Sequence, residues 1–247
     1  MEAIRKPGQG VFNIIRFNWH FYVIAIFVIL VLSTLALYLP GLGSILLVII
    51  FLITLSTTVS LIASWWVYDL SNLYTLDWLK LPIAPQRIAN INAGFDETSK
   101  LIQQQYPNAE LLVLDFYDPI IHTEISIKRA RQAYPPYPGT RSVTTTDLRL
   151  APKSLDFIFL CLSAHEIRDN TERTQFFQAL KESLTSNGRI VLVEHLRDLP
   201  NFLAYNIGFF HFYSQNTWTT TFASAQLNIL HKEKITPFIN VFYLAPN

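Results

Sequence analysis

Between residues 21 and 68 the chain carries no Asp, Glu, Lys or Arg. The window breaks once, at Pro40-Gly41-Leu42-Gly43. Residues 21–39 and 44–64 remain on either side, each close to the roughly 20 residues that cross a bilayer core. Both are rich in Ile, Leu and Val throughout, so they are apolar on all sides rather than striped. Two transmembrane helices joined by a tight turn satisfy their backbone groups internally, which the bilayer demands. Trp19, Phe21 and Tyr22 open the pair, and Trp65, Trp66, Tyr68, Tyr74 and Trp78 close it, as aromatic belts do at headgroup depth. Arg5, Lys6 and Arg16 precede the first span and the connecting turn has no basic residue. The positive-inside rule therefore predicts a cytoplasmic N-terminus, and two spans return the chain to the cytoplasm at Asp69. A cleaved signal peptide is the weaker alternative, because its apolar region runs only about 7–15 residues. A buried soluble hairpin is the other. Thr54, Ser56, Thr57, Thr58 and Ser60 are expected on a helix-contact face, being small and able to approach closely. They carry no ionisable group, so no ion pathway is expected.

The whole chain has 247 residues, 51% of them hydrophobic, and a mean hydropathy of +0.27. That suits a membrane segment followed by one domain. A net charge of +1 without a basic cluster argues against a nucleic-acid surface. Cys161 is the only cysteine, so neither a disulfide framework nor a cysteine-rich zinc site is expected, and no metal centre is predicted. Cys161 itself reads as a small buried residue on a strand. The divisions are 1–20, a cytoplasmic segment; 21–66, the membrane hairpin; 67–86, a connector; and 87–247, a soluble domain. In the connector Leu70, Leu73, Leu76 and Leu79 recur at helical spacing beside Tyr74 and Trp78. They predict a short amphipathic helix on the membrane surface, ended by Pro82 and Pro85.

The soluble part is organised around residues 88–115. A short apolar run, 88–91, meets the turn Asn92-Ala93-Gly94, then the polar helix start Asp96-Glu97-Thr98-Ser99. A second apolar run, 111–114, ends on Asp115. Such a β-turn-α-β unit with an acid at its second strand tip can hold a nucleoside: small residues let the backbone approach, and the acid accepts ribose hydroxyls. A buried βαβ unit without a ligand is the alternative. Strand one is predicted over 88–91, a helix over 98–105 ended by Pro107, strand two over 111–114, and a helix over 124–134. A loop of Pro135, Pro136, Pro138 and Gly139 follows, then strand three (142–145), strand four (155–162) and a helix (171–184) striped with Phe176, Phe177, Leu180 and Leu184. Asn187-Gly188 reads as a turn before strand five (189–194). Residues 229–234 and 241–244 close the sheet as an antiparallel hairpin. This alternation predicts an α/β, Rossmann-like parallel sheet with a final antiparallel hairpin, preceded by the transmembrane hairpin. The run 199–213 is too short and too interrupted to span a membrane, and reads as an active-site cover, an apolar substrate wall or core filler.

In the order of these motifs the chain resembles class I S-adenosylmethionine-dependent methyltransferases over roughly residues 86–247. Asn92-Ala93-Gly94 takes the place of that family's glycine-rich loop and keeps one glycine. Asp115 takes the place of its ribose-binding acid, with Phe116 beside the adenine. Asp147-Leu148 falls where many members have an acidic-Leu pair near the adenine amine, and Asn187-Gly188-Arg189 where they turn into strand five. The resemblance extends more loosely to the ubiquinone and menaquinone methyltransferases, which act on lipid-like substrates. It implies S-adenosyl-L-methionine as cofactor, held by Asn92, Ala93, Gly94, Asp96, Asp115, Phe116, Asp147 and Leu148. Asp96 is either a partner of the cofactor's ammonium or a helix N-cap.

The sulfonium carries its own driving force, so the protein's work is positioning. A base is needed only if the acceptor must lose a proton. His165, in the segment Ser163-Ala164-His165-Glu166-Ile167 after strand four, is the first candidate, with Glu166 orienting it. His195 is a second, and His211 reads as packed among aromatics. The expectation is a membrane-anchored methyltransferase with a small lipid-like acceptor, in contact with the bilayer and open to a membrane-protein partner. The competing readings are a catalytically degenerate scaffold module, favoured by the missing glycines, and a nicotinamide oxidoreductase, for which no Tyr-x-x-x-Lys pair is present.

Overall fold

Strand β1 (Arg87–Asn92) is buried from its second residue onward, and it is central because parallel neighbours flank it on both sides. The computed structural model describes residues 6–79, 81, 84–122 and 124–247. Arg5 and Pro82, to which expectations attach, lie outside them. The remaining strands are β2 (Glu110–Asp115), β3 (Arg141–Ser142), β4 (Leu155–Cys161), β5 (Leu184–His195), β6 (Leu227–Lys234) and β7 (Ile239–Pro246). Their order in the single sheet is β3-β2-β1-β4-β5-β7-β6. The first five run parallel, and β7 pairs antiparallel with both β5 and β6. The predicted Rossmann-like sheet with a closing hairpin is the observed one. The chain leaves the edge at β3 and re-enters beside β1 as β4. That reversal opens a crevice at the strand carboxyl ends, where open α/β sheets bind ligands.

Eight helices accompany the sheet among the described residues: α1 (Gln9–Phe17), α2 (Trp19–Tyr38), α3 (Gly43–Trp65), α4 (Ser99–Gln105), α5 (Ile125–Ala133), α6 (Asn170–Ser183), α7 (Leu199–Tyr205) and α8 (Gln215–Ser224). Alternate strand residues feed two cores. Ala89, Ile91, Ile158, Leu160, Ile190 and Leu192 pack under Phe176, Phe177 and Leu180 of α6 and Trp218 and Phe222 of α8. Ile88, Phe157, Phe159, Val191 and Val193 pack under Ile102 of α4 on the other face.

The connector corrects an expectation. Leu73, Leu76 and Leu79 are buried in this second core with Val67, instead of lying on a membrane surface; only Leu70 stays exposed. The backbone there is a π turn (Trp66–Leu70) and a 3₁₀ turn (Asn72–Tyr74). The sheet's second face has too few helices of its own, and burying three leucines on it is worth more than leaving them at an interface.

The helices α2 and α3, joined by a 3₁₀ turn at Pro40–Leu42, are each long and apolar enough to cross a membrane, and neither apolar window is buried in the structure. Of the expected hydroxyl face, Ser56, Thr57 and Ser60 point into a cavity. Thr54 and Thr58 are exposed and bond back to Ile50 O and Thr54 O, so the stripe is not one contact surface. Helix α1 was not expected at all. It is held by Asp69, whose two carboxylate oxygens accept the N–H of Gly10 (2.7 Å) and Val11 (2.8 Å). The turn expected at Asn187-Gly188 survives as a bulge inside β5: Leu155 pairs with Leu184 and Phe157 with Arg189.

Candidate active site

Two clefts lie at the carboxyl ends of the strands. The first is the nucleoside cradle expected from the turn and Asp115. Gly94 adopts φ +100°, a conformation that glycine tolerates and side chains rarely do. Asn92 folds its amide back on the turn, accepting from Gly94 N (3.0 Å) and donating to Leu114 O (3.2 Å). Asp96 Oδ1 accepts from the backbone N–H of Thr98 and Ser99 (2.9 Å each), which is the capping geometry. Its other oxygen, Oδ2, is buried with no hydrogen-bond partner.

The cradle has acceptors but little room. Asp115 Oδ1 accepts from Tyr117 N (2.9 Å), and Oδ2 is ion-paired with Arg131 from α5. Arg131 also donates to Gly94 O (3.3 Å) and lies over the Tyr117 ring, whose atoms come within 3.0 Å of where a Cβ on Gly94 would stand. The space left between Asn92, Gly94, Asp96, Asp115 and Pro135-Pro136 is about 10 Å³, room for no more than about one water. Phe116 is buried against Phe176 (5.6 Å) and His122 (5.7 Å), and Leu148 is in the same core. Asp147 is exposed and paired with Arg149. In this conformation an adenosyl group does not fit where the motif order puts it: Arg131 stands on the acid that would receive the ribose.

The second cleft is large, about 840 Å³. Its floor is the tips of β1, β4 and β5, with Asn92, Ala93, Cys161, His165, Glu166 and His195. Its walls are α1, α2 and α3, and its far side is the aromatic segment around Tyr205 to Phe212. The volume is that of an ordinary ligand pocket. Cys161, expected to be buried, is half-buried and faces it. Of the predicted cofactor residues only Asn92 and Ala93 reach this cavity; Gly94, Asp96 and Asp115 line the small cleft.

On the floor, a 3₁₀ turn (Ala164–Glu166) after β4 sets His165 and Glu166 side by side. His165 Nδ1 is 2.6 Å from Glu194 Oε2, and its Nε2 is 3.2 Å from Glu166 Oε1. Burial opposes its charge, but the two carboxylates override that and push the imidazole up to about 10. A charged imidazole accepts no proton, so His165 held between two carboxylates is not a ready base. Glu166 is lowered well below the usual carboxylate range: burial works against it, and hydrogen bonds from His165 and His211 outweigh burial. His211 is not simply packed among aromatics. Its Nε2 is 3.2 Å from Glu166 Oε1 and its Nδ1 is 2.9 Å from Glu124 Oε1. His195 behaves oppositely. Burial pushes it down to about 4, and it is neutral, stacked on Phe212 at 4.7 Å. Sequence reading missed Glu124, Arg131 and Glu194 and took His211 for aromatic packing alone; motifs do not mark these partners, and only the fold brings them together.

No protein-family model matches the chain, and no curated protein matches it by sequence. Solved structures are similar. The PH0226 protein from Pyrococcus horikoshii OT3 matches with TM-score 0.51 at 12% identity, over 70% of this chain and 88% of that one. A chain in the complex of the Haloferax volcanii Trm112 methyltransferase activator matches with TM-score 0.50 at 11% identity, over 68% of this chain and 87% of that one. LaPhzM is also similar, with TM-score 0.49 and 15% identity over 68% of this chain, which spans about half (52%) of its length. At such identities the likeness is one of fold. The chain has an α/β, Rossmann-like fold with a final antiparallel hairpin, preceded by two apolar helices.

Proposed function

We propose that this chain is a membrane-anchored S-adenosylmethionine-dependent methyltransferase acting on a small lipid-like acceptor. The observation that carries the reading is the position of the large cavity. About 840 Å³ lies between the strand carboxyl ends and the three N-terminal helices. An apolar molecule drawn from a bilayer reaches the strand tips there without crossing water. Leu199, Leu203, Ile207 and Phe210 are exposed on and just after α7, the helix that contacts α3, and continue the apolar surface of the hairpin. Lys6 and Arg16 precede the first apolar helix, so the positive-inside rule favours a sheet on the cytoplasmic side.

S-adenosylmethionine would supply the methyl group on a sulfonium, leaving the protein to bind and align. The cradle offers Asp115 and the unpartnered Asp96 Oδ2 to such a ligand, and its obstacle is Arg131. That side chain is 37% exposed and comes from a short helix, so it has solvent to withdraw into. The reading requires that Arg131 leave Asp115 when cofactor binds. A second reading, a tethered binding module that has lost the cofactor, is favoured by the closed cradle alone.

Titrating the detergent-solubilised full chain and its Arg131→Ala variant with S-adenosylmethionine, by calorimetry, separates the two. Binding by the parent, tighter in the variant, is expected. No heat from either protein at millimolar cofactor would leave only the binding module.

A further inference from the structure

We propose that His165, Glu166 and His211 form a binding site for one divalent transition-metal ion on the floor of the large cavity. The inference stands independently of the cofactor reading. The ligand atoms already converge. His165 Nε2 and His211 Nε2 each lie 3.2 Å from Glu166 Oε1, and the candidate donor atoms of the three residues fall within 4.8 Å of one another. Two imidazoles and one carboxylate are the donor set that zinc and its neighbours in the first transition row accept.

The outer contacts follow the same logic on both histidines. A metal-binding histidine gives its other ring N–H to a carboxylate, which fixes the tautomer and aims the free nitrogen. His165 Nδ1 meets Glu194 Oε2 at 2.6 Å, and His211 Nδ1 meets Glu124 Oε1 at 2.9 Å. The four residues come from four places in the chain: the 3₁₀ turn after β4, the end of β5, the residue before α5, and the 3₁₀ segment Asn206–His211. Two independent pairings of one kind, both aiming Nε2 at one oxygen, are not what packing alone would produce.

Charge points the same way. Glu124, Glu166 and Glu194 bring three carboxylates to the cluster, while Arg168, whose Nη2 touches both ring nitrogens of His211 (2.8 Å from Nε2) and has to withdraw for an ion to bind there, is the fixed cation that touches it among the described residues. One divalent ion supplies the two missing charges. Arg168 is exposed and has solvent to move into. Glu124, His165, Glu166 and His211 all line the cavity, so a bound ion keeps an open position toward whatever occupies it.

The test uses the full chain in detergent, purified without a polyhistidine tag and stripped with chelator. Cobalt(II) is titrated while its visible d–d absorption is followed, and zinc(II) is then used to displace it. One equivalent of cobalt is expected, with an absorption band of low coordination number. His211→Ala and Glu166→Gln should weaken binding, and Glu194→Gln should do so by roughly 10–100-fold through the outer contact. His211 is partly exposed, so its alanine variant keeps the fold, as circular dichroism checks. His231→Ala, at an exposed histidine outside the cavity, should bind as the parent does. No d–d band in the parent, or parental affinity in both His211→Ala and Glu166→Gln, overturns the proposal. None of these readouts needs S-adenosylmethionine.

Discussion

The hydroxyl of Tyr68, just beyond α3, meets Nε2 of His195 at the end of β5, 3.0 Å away. The bond has one direction. Asn201 donates its Nδ2 to Asp198 Oδ1 and Phe238 O, which leaves its Oδ1 to accept from His195 Nδ1 at 2.9 Å. The imidazole proton is therefore on Nδ1, and Nε2 accepts from Tyr68. A neutral, fully bonded histidine thus joins the apolar hairpin to the sheet.

Stability should depend on pH through that residue. Burial lowers His195 to about 4, whereas in the unfolded chain it titrates near its ordinary 6.5. The unfolded state therefore takes up the proton first. The stabilisation is complete above pH 6.5 and is lost as pH falls from there toward 4, on the order of 3 kcal/mol in all. Thermal unfolding in detergent from pH 4 to 7 checks this. His195→Gln, whose amide offers a donor and an acceptor, should flatten the slope across that window.

Tyr68→Phe leaves His195 Nε2 buried without its donor, at a cost of roughly 1–3 kcal/mol. A melting temperature equal to the parent's would mean that the hairpin is held to the sheet by other contacts.

Asp69 and Gly10 hold α1 in place. A Cβ on Gly10 would run into Tyr68 Cβ and stand 2.9 Å from the Tyr68 backbone, so Gly10→Ala must lift the helix. Asp69→Ala strips two helix N–H groups of their acceptor, costing about 1–3 kcal/mol. Trypsin cleavage after the exposed Arg16 should be faster in both variants than in the parent.

Asp96→Asn separates the two roles of that carboxylate. The amide oxygen keeps the cap on Thr98 and Ser99, so melting should stay within about 1 kcal/mol of the parent. If Oδ2 meets the ammonium of the cofactor, affinity for S-adenosylmethionine falls roughly tenfold or more. Unchanged affinity would make Asp96 a cap and nothing else.

Arg131→Ala should barely move the melting temperature, by the equivalent of about 1 kcal/mol or less, because an ion pair with a partly exposed arginine is screened by solvent. A large loss would show that the closed cradle is a structural lock rather than a displaceable cap.

The sequence by itself determined the strands of the sheet, the apolar helix pair and the helices α4, α5 and α6, though not α1, α7 or α8. Unbroken apolar runs named α2 and α3, and short runs ending at Asn92 and Asp115 named the paired tips of β1 and β2, because periodicity and length are local properties. It could not say which surface an apolar stripe would meet. Leu73, Leu76 and Leu79 repeat as a membrane-surface helix would, and the uncovered sheet claims them instead. Nor could it pair Arg131 with Asp115, or gather Glu124, His165, Glu166 and His211. These residues are strangers along the chain and become neighbours only when the strand order 3-2-1-4-5 brings the tips of β4 and β5 beneath α1 to α3. Tertiary packing decided what stands in the pocket, since charge and hydrogen bonding act over a few ångströms of space and take no account of distance along the sequence.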